Sequence, residues 1–527
     1  MSRLQDRWAT LTADRLRGMR RGIEKESLRA LPGGELALTP HPQALGAALT
    51  HPTITTDFSE SQIEIVTGAH GEVAGAMGEL EQIHRQVYRV LDQLGDEMLW
   101  VSSMPCGLPS DETIPIGRYG TSNVGSAKSI YRMGLSHRYG RRMQTISGIH
   151  YNWSLPGVSS DEYFALIRNF RRDAPVLLYL FGASPAVCGS FLAARDHVLQ
   201  PLGEQGLHLP HATSLRMGRL GYQSDAQATL AVSYNDLDGY GASLQDALTQ
   251  PYGPYETVGV RNPGGDYNQL STTLLQIENE FYGTIRPKRT VFSGERPLHA
   301  LRERGVQYVE VRCMDLDPFE PLGISATTAH FLDIFLLVNL LADSPPDTPQ
   351  EIEVLKRNQH LAAERGREPG LLFERAGQRL SMPQWADQVI GQCRTVAAHV
   401  DAQLGGNAYR RAVEAVAEMA ADPARLPSAR VLAATLHDHG GSFMDFVRER
   451  SAATRQVLLA QPLAAHEIAH FEQTAAESFE AQRQVEASDT MPFELYRQQY
   501  LLPSRLGLRS PQSRQADAAV AGTSASL

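Results

Sequence analysis

The stretch G-I-H-Y-N-W-S at residues 148–154 alternates apolar and polar side chains at every position. Successive side chains of a β-strand point to opposite faces of the sheet. We therefore expect His150, Asn152 and Ser154 on one face and the three large apolar side chains between them on the other. Such a strand can pack its apolar face on helices and keep its polar face for chemistry.

Three further segments show the same alternation. Their polar positions are Glu24 and Glu26 in residues 22–28, Gln62 and Glu64 in residues 56–66, and Tyr308, Glu310 and Arg312 in residues 307–312. The strands are short, compatible with hairpins and not joined by regular helices. This organisation favours an α+β fold around a mainly antiparallel sheet over a doubly wound parallel one.

The polar faces of these strands concentrate groups that bind hard cations. Mg²⁺ prefers carboxylate oxygens, and the phosphates of ATP can supply its remaining ligands. A histidine in the set also suits Mn²⁺. A divalent ion would explain why so many like charges are tolerated together. The alternative is a set of ordinary half-exposed strands with solvated outer faces, and the pattern alone leaves both interpretations open.

Composition restricts the class of protein. The chain has 527 residues, 42% of them hydrophobic, and a formal net charge of −10. This mildly acidic balance gives no general reason to expect nucleic acid or an anionic membrane as a partner, and nothing indicates an obligate protein partner. The amino terminus has no apolar signal region, and no apolar run reaches the ~18 residues of a spanning helix. We expect a soluble, cytoplasmic protein.

Beyond the strands, the chain divides by helical content. Residues 1–20 are predicted as one amphipathic helix, and a sheet-bearing core is expected over about 20–330, with a helix near 72–95. A helical part covers about 331–495, with helices predicted at 350–365, 384–403, 406–421 and 462–487. The sequence Asp347-Thr348-Pro349 is a start signal for the first of these. Residues 506–527 are small and polar, and we expect a disordered tail.

The four cysteines, Cys106, Cys188, Cys313 and Cys393, are far apart in sequence and show no CxxC pairing. Free or buried thiols are therefore favoured over disulfides or a zinc site.

Two motifs compete with the metal–ATP interpretation. Residues 120–129, G-T-S-N-V-G-S-A-K-S, resemble a phosphate-binding P-loop, but two residues separate the second glycine from the lysine, so a P-loop is rejected. Residues 466–470 read H-E-I-A-H, the pattern of a zinc hydrolase, with Glu486 as a conceivable third ligand. A chance match on a charged surface helix is the favoured interpretation.

A third motif is the basic cluster at residues 286–289, R-P-K-R, which follows Q-I-E-N-E-F-Y at 276–282. It is either a solvated surface patch or a grip for nucleotide phosphates, and the sequence does not separate the two.

Taken together, the motifs resemble a known family. They are GIEKESLR (22–29), TTDFSESQIEIVTG (55–68), SMPCGLP (103–109), MQTISGIHYNWSLP (143–156), HATSLRMGRLGY (211–222), LQIENEFYGTIRPKR (275–289) and YVEVRCMDLDPFEPLG (308–323). In this order they resemble the glutamate–cysteine ligases of the proteobacterial type. The resemblance implies a curved antiparallel sheet that forms a funnel, as in glutamine synthetase and the guanido kinases. It also implies a single catalytic domain over 1–505.

The resemblance also implies roles for individual residues. The implied metal ligands are Glu24, Glu26, Asp57, Glu64, His150 and Glu310. Arg312 would contact the transferred phosphoryl group of ATP and act in catalysis with Glu310. The implied substrate-binding residues are Phe58, Tyr131, Leu135, Gln144, Arg216, Tyr222 and Tyr282 around cysteine, and Arg132 at a substrate carboxylate.

The implied reaction joins the γ-carboxylate of L-glutamate to the amine of L-cysteine through a γ-glutamyl phosphate, with Mg²⁺ as cofactor, Mn²⁺ as a possible replacement and ATP as co-substrate. This is the first step of glutathione synthesis. Two alternatives stay open: an ATP-dependent ligase with a different acceptor amine, and a nucleotide- or metal-binding sensor without catalysis.

Overall fold

The computed structural model describes residues 7–507, except residues 96, 193–195, 222–224, 229 and 293. The helices are α1 (Ala13–Arg17), α2 (Val73–Gln93), α3 (Asn123–Tyr139), α4 (Arg141–Gln144), α5 (Ser160–Phe181), α6 (Gly189–Leu192), α7 (Asp225–Ala228), α8 (Leu237–Thr249), α9 (Gly253–Val258), α10 (Pro297–Arg304), α11 (Ala326–Leu341), α12 (Pro349–Arg365), α13 (Met382–Leu404), α14 (Ala408–Ala421), α15 (Pro427–His437), α16 (Phe443–Leu459), α17 (Ala465–Ala487) and α18 (Phe493–Leu501).

The strands are β1 (Arg20–Ala30), β2 (Ile54–Thr56), β3 (Gln62–Val66), β4 (Met98–Leu99), β5 (Ile149–Ser154), β6 (Ala186–Cys188), β7 (Gln200–Leu202), β8 (Gly206–His208), β9 (Ile285–Lys288), β10 (Tyr308–Met314), β11 (Leu372–Arg375) and β12 (Gln378–Ser381).

A seven-stranded sheet forms the centre of the sheet-bearing part. Its order is β2-β3-β1-β5-β10-β9, with β4 paired to one end of β1, and every pairing is antiparallel. The four strands expected from the alternating pattern, β1, β3, β5 and β10, are neighbours in this sheet. The α+β class with an antiparallel sheet is therefore confirmed.

The apolar face of the sheet is buried beneath helices. Ile149, Tyr151 and Trp153 of β5 are at most 1% exposed. Helix α5 packs against β9 and β10 and against α11, where Phe170 meets Phe335 edge to face with ring centroids 5.5 Å apart. This packing leaves the opposite face of the central strands to the polar side chains.

The helical predictions for the second half of the chain are confirmed by α12, α13, α14 and α17. The Thr348 hydroxyl accepts the backbone N–H of Glu351, and Pro349 is the first residue of α12, as the start signal predicts. The single helix predicted over residues 1–20 is wrong from residue 9 onward, because a turn precedes the short helix α1. Helix α1 is capped by Thr12, whose hydroxyl accepts the N–H of Arg15. Of the predicted tail, residues 508–527 lie outside the described residues.

The expectation of four free thiols is wrong for one pair. Cys106 and Cys188 form a disulfide across 82 positions of sequence, with Cα atoms 5.2 Å apart. Cys106 lies in a loop and Cys188 ends β6, so only the folded chain brings them within bridging range. Cys313 and Cys393 are free and buried, as expected. Within the described residues, no helix is long and apolar enough to cross a membrane.

Candidate active site

The register of the sheet brings three predicted metal ligands together. Glu24 on β1 lies opposite His150 on β5, and Glu310 on β10 lies opposite Asn152 on β5. His150 Nδ1 is 3.1 Å from Glu24 Oε2 and 3.9 Å from Glu310 Oε1. Asn152 Nδ2 donates to the other Glu24 oxygen at 2.8 Å. One ligand atom from each of Glu24, His150 and Glu310 lies within 4.8 Å of the others, so this trio can hold a metal ion.

A second carboxylate group adjoins the trio. Glu26 lies opposite Glu64 across the β1–β3 pair, and Glu26 Oε1 is 3.7 Å from His150 Nε2. Burial, together with the charges of Asp57 and Glu64, raises the pKa of Glu26 well above its usual range. Burial and the charges of Asp57 and Glu24 raise the pKa of Glu64 to about 8. The imidazole of His150 thus lies between two sets of acidic side chains. A bound divalent cation would relieve the repulsion among the carboxylates of each set.

Two cations flank Glu310. Lys288 Nζ is 3.1 Å from Glu310 Oε1, and Arg312 Nη1 is 3.0 Å from Glu310 Oε2. Burial alone would raise the pKa of Glu310, but Lys288 and Arg312 hold it well below its usual range. Although Glu310 is 1% exposed, these two cations favour its ionised form, whereas Glu26 and Glu64 are pushed towards protonation.

The three basic side chains of the cluster at residues 286–289 lie in different surroundings, and Lys288 is the one beside the acidic trio. Lys288 lies opposite Tyr308 in the β9–β10 pair, one strand from the acidic trio. Arg286 is buried and donates to the backbone carbonyls of Asn279 and Phe281. Arg289 donates to the carbonyl of Arg304 at 2.6 Å. In the sequence the three basic residues look like one patch. The strand register is needed to see that Lys288 belongs to the site.

Helix α3 carries three of the expected substrate-binding residues, Tyr131, Arg132 and Leu135. Tyr131 and Leu135, one helical turn apart, occupy adjacent positions on it, and Arg132 donates through Nε to the carbonyl of Asp57. The Arg132 guanidinium also lies 4.5 Å from the centre of the Tyr119 ring. Lys128 lies one turn earlier on the same helix and is exposed.

A cavity of about 210 Å³ adjoins these groups, and Arg216, Tyr282 and Arg312 are among its lining residues. Gln144 Nε2 lies 3.0 Å from the Tyr282 hydroxyl, so these two expected substrate residues are together. Leu135 is 5% exposed.

The remaining two expected substrate residues give less information. Phe58 is 1% exposed and belongs to the hydrophobic core cluster. Tyr222 lies outside the described residues.

Comparison with known proteins agrees with this geometry. A family model described as glutamate–cysteine ligase matches residues 7–362. The glutamate–cysteine ligase of Azotobacter vinelandii is 48% identical over 500 residues, which cover 91% of this chain and 93% of that protein. The chain belongs to the glutamate–cysteine ligase family. The resemblance inferred from the motifs is thereby confirmed.

Solved structures extend the comparison to the fold. The crystal structure of the Francisella tularensis glutamate–cysteine ligase in complex with AMP has a TM-score of 0.88 at 34% identity, covering 93% of this chain and 99% of that one. The bifunctional glutathione synthetase of Pasteurella multocida has a TM-score of 0.64 at 23% identity, covering 96% of this chain and 58% of that one. At that identity the second likeness concerns the fold alone.

The P-loop-like segment of this glutamate–cysteine ligase family member does not offer its amides to phosphate. The N–H of Thr121 donates to Glu486 Oε1 at 2.8 Å, and the N–H of Asn123 donates to Asp489 Oδ2 at 2.6 Å. Carboxylates from the C-terminal region therefore occupy the start of α3, where a P-loop would hold phosphate. The rejection of a P-loop agrees with these contacts.

The H-E-I-A-H sequence lies on the exposed side of α17. His466 and His470 are exposed, and Glu467 accepts the N–H of Ala464 and the amide of Gln82. Among the described residues, the acidic trio on the sheet is the group whose ligand atoms converge for a metal, and this helix is not part of it. The coincidence interpretation of the motif therefore agrees with the structure.

Proposed function

We propose that this protein joins the γ-carboxylate of L-glutamate to the amine of L-cysteine, with ATP converted to ADP and phosphate through a γ-glutamyl phosphate. The product is γ-glutamylcysteine, the first intermediate of glutathione synthesis. The observation that carries the proposal is the trio of Glu24, His150 and Glu310, flanked by Lys288 and Arg312 beside a cavity. The carboxylates of this site can bind a metal ion, and the adjacent Lys288 and Arg312 side chains can bind phosphoryl oxygens.

The donor set fits a divalent cation, with Mg²⁺ as the proposed ion and Mn²⁺ as a possible replacement. The residues that would hold it are Glu24, Glu26, Asp57, Glu64, His150 and Glu310. The acidic residues of this set supply oxygens, which Mg²⁺ prefers, and the imidazole extends the range to Mn²⁺. The bound cation would neutralise charge on the phosphates of ATP.

The rest of the chemistry falls to side chains of this chain. A carboxylate does not react with an amine at neutral pH because oxide is a very poor leaving group, so the γ-carboxylate must first be phosphorylated. Arg312 and Lys288 would donate hydrogen bonds to the phosphoryl oxygens, and alignment of the reactants supplies much of the rate. Arg132 would bind a substrate carboxylate. Tyr131, Leu135 and Tyr282 would exclude water, which otherwise hydrolyses the acyl phosphate.

We place the nucleotide in the cavity beside Arg312. The Francisella relative was crystallised in complex with AMP, and the residues that line the cavity include Arg312, Leu230, Val232 and Ile352. Apolar walls suit a purine base, and a guanidinium suits the phosphates. We further propose that the sheet curves into the family's funnel and that residues 1–505 act as one catalytic domain. The reaction would take place in the cytoplasm without an obligate protein partner.

The deciding experiment measures ADP release with glutamate alone, with cysteine alone and with both. The proposal requires release to depend on both amino acids together with Mg²⁺ and ATP. Glu24→Gln and Glu310→Gln should abolish it, because each removes a ligand of the trio. Glu97→Gln is the matched control for Glu310→Gln, since Glu97 is similarly buried but paired with Arg29 at 2.5 Å.

Two results would favour the alternatives. Release with glutamate and a different amine, but not with cysteine, would indicate a ligase with another acceptor. Binding of Mg-ATP without ADP release under any of these conditions would indicate a sensor.

A further inference from the structure

Asp315 follows β10 directly and lies behind Arg216. Its side chain is buried, and it accepts three hydrogen bonds: from the backbone N–H of Ala183 at 2.9 Å, from Ser184 Oγ at 2.6 Å and from Ser214 Oγ at 3.0 Å. Arg216 Nη1 is 3.8 Å from Asp315 Oδ1. The carboxylate is thus fixed by neighbouring loops before it meets the guanidinium.

The guanidinium of Arg216 is confined on its other sides. Its Nη2 donates to the carbonyl of Arg312 at 2.9 Å. It also lies against Gly148, where an added Cβ would stand 2.1 Å from Nη2 and 2.4 Å from Cζ. Glycine is required here for space, and the same residue donates its N–H to Glu26 Oε2 at 2.9 Å. The guanidinium of Arg216 therefore lies between Asp315 and Gly148, which directly precedes β5.

A guanidinium this deeply buried needs a negative neighbour. The side chains of Arg216 and Asp315 are 2% and 0% exposed. Removing one member of a buried ion pair costs far more than removing an exposed pair, because the remaining charge is left in a medium of low polarity. In Asp315→Asn, moreover, an amide group takes the place of one carboxylate oxygen, so a donor would face either Ser184 and Ala183 or Ser214 and Arg216.

We propose that Asp315 is a positioning residue that aims Arg216 at the carboxylate of the amino-acid acceptor. The inference rests on the proposed function and on the place of Arg216 in the cysteine pocket that the family resemblance implies. Arg216 lines the cavity, whereas Asp315 is not among the lining residues. Asp315 would therefore act through Arg216 and not by contact with a substrate. Loss of the carboxylate should therefore weaken the binding of one substrate in particular.

The test compares KM values for cysteine, glutamate and ATP in wild type and Asp315→Asn. The KM for cysteine should rise by about tenfold, and those for glutamate and ATP should stay within about twofold. Asp401→Asn is the matched control. Asp401 is equally buried and accepts two backbone N–H groups and an arginine, but it lies in the last turn of α13. Its variant should lower stability and leave all three KM values unchanged.

Two further variants keep the inference testable if Asp315→Asn does not fold. Ser184→Ala removes the 2.6 Å hydrogen bond and keeps the charge, and it should raise the KM for cysteine by about threefold. Arg216→Met should raise it at least as much as Asp315→Asn.

The outcomes separate the inference from the proposed function. A KM for cysteine that rises in Arg216→Met but stays at the wild-type value in Asp315→Asn, or in Ser184→Ala where that is the variant that folds, overturns the positioning role. An unchanged value in Arg216→Met overturns the assignment of Arg216 and the inference with it. Failure of the proposed function appears in the wild type, as ADP release that does not depend on cysteine.

Discussion

Removing divalent cations at neutral pH should reveal the repulsion among the carboxylates of the site. Burial and the charges of Asp57 and Glu24 raise the pKa of Glu64 to about 8, from an ordinary value of 4.5. Glu26 is shifted in the same direction, by burial and by Asp57 and Glu64. The metal-free folded protein therefore retains protons at pH values where the unfolded chain has released them.

The sign and size of the effect follow from linkage. A carboxyl with a higher pKa in the folded state makes the fold less stable as pH rises, because the unfolded chain binds fewer protons. For Glu64 alone, the free energy of unfolding should fall by about 1.4 kcal/mol per pH unit between about 4.5 and about 8. At pH 7 the loss is about 3 kcal/mol relative to pH 4.5. In a chain of this length that corresponds to about 3 °C in Tm.

Thermal unfolding in chelator, measured from pH 5 to 8.5, tests this reasoning. The Tm of wild type minus that of Glu64→Gln should fall by about 3 °C across the range, and saturating Mg²⁺ should abolish the fall. Glu97→Gln, which disrupts the buried pair with Arg29, should lower Tm without changing its response to Mg²⁺. A difference between wild type and Glu64→Gln that is constant with pH in chelator would refute the argument.

Four other predictions concern single features. Lys288→Met should lower kcat for ADP release about a hundredfold, whereas Arg289→Met, whose guanidinium bonds to a backbone carbonyl, should stay within about twofold; equal effects would contradict the assignment of Lys288. Cys106→Ser should destabilise the oxidised protein by about 4 kcal/mol in denaturant titrations, because the disulfide closes a long loop, and reductant should have no further effect on the variant. Alanine at both His466 and His470 should leave activity unchanged, and metal analysis should find no stoichiometric zinc in the wild type. With 2-aminobutyrate in place of cysteine the rate should stay above about a thousandth of the cysteine rate, because a methyl group nearly matches the thiol in size; a lower rate would show that the pocket recognises sulfur specifically.

The sequence was sufficient to predict what depends on local periodicity. Alternation in residues 148–154 predicted that His150 and Asn152 share one face, and the burial of Ile149, Tyr151 and Trp153 agrees. Helices with a clear start signal, such as α12, were placed within a residue or two. These features are encoded by neighbours in the chain, so a single sequence contains the necessary information.

Features that depend on how distant segments pair could not be predicted. Lys288 joins the site because β9 pairs with β10, and the basic cluster looks the same whether or not that pairing exists. The Cys106–Cys188 disulfide requires a loop and a strand 82 positions apart to meet. Asp315 gives no signal of its own, since its three hydrogen bonds come from residues 101 to 132 positions away.

The two ring nitrogens of His150 face different carboxyl groups, Glu24 at Nδ1 and Glu26 at Nε2. Burial and the neighbouring charge of Arg312 lower the pKa of His150, which favours the neutral ring. A carboxylate can only accept hydrogen bonds, and therefore the 3.1 Å contact with Glu24 places the proton on Nδ1. The lone pair is then on Nε2, which faces Glu26 Oε1 at 3.7 Å, a distance too long for a hydrogen bond. If Glu26 is ionised when a metal binds, its carboxylate and the Nε2 lone pair would both be available as ligands of the cation. The hydrogen bond to Glu24 thus orients His150 as a ligand before any metal binds.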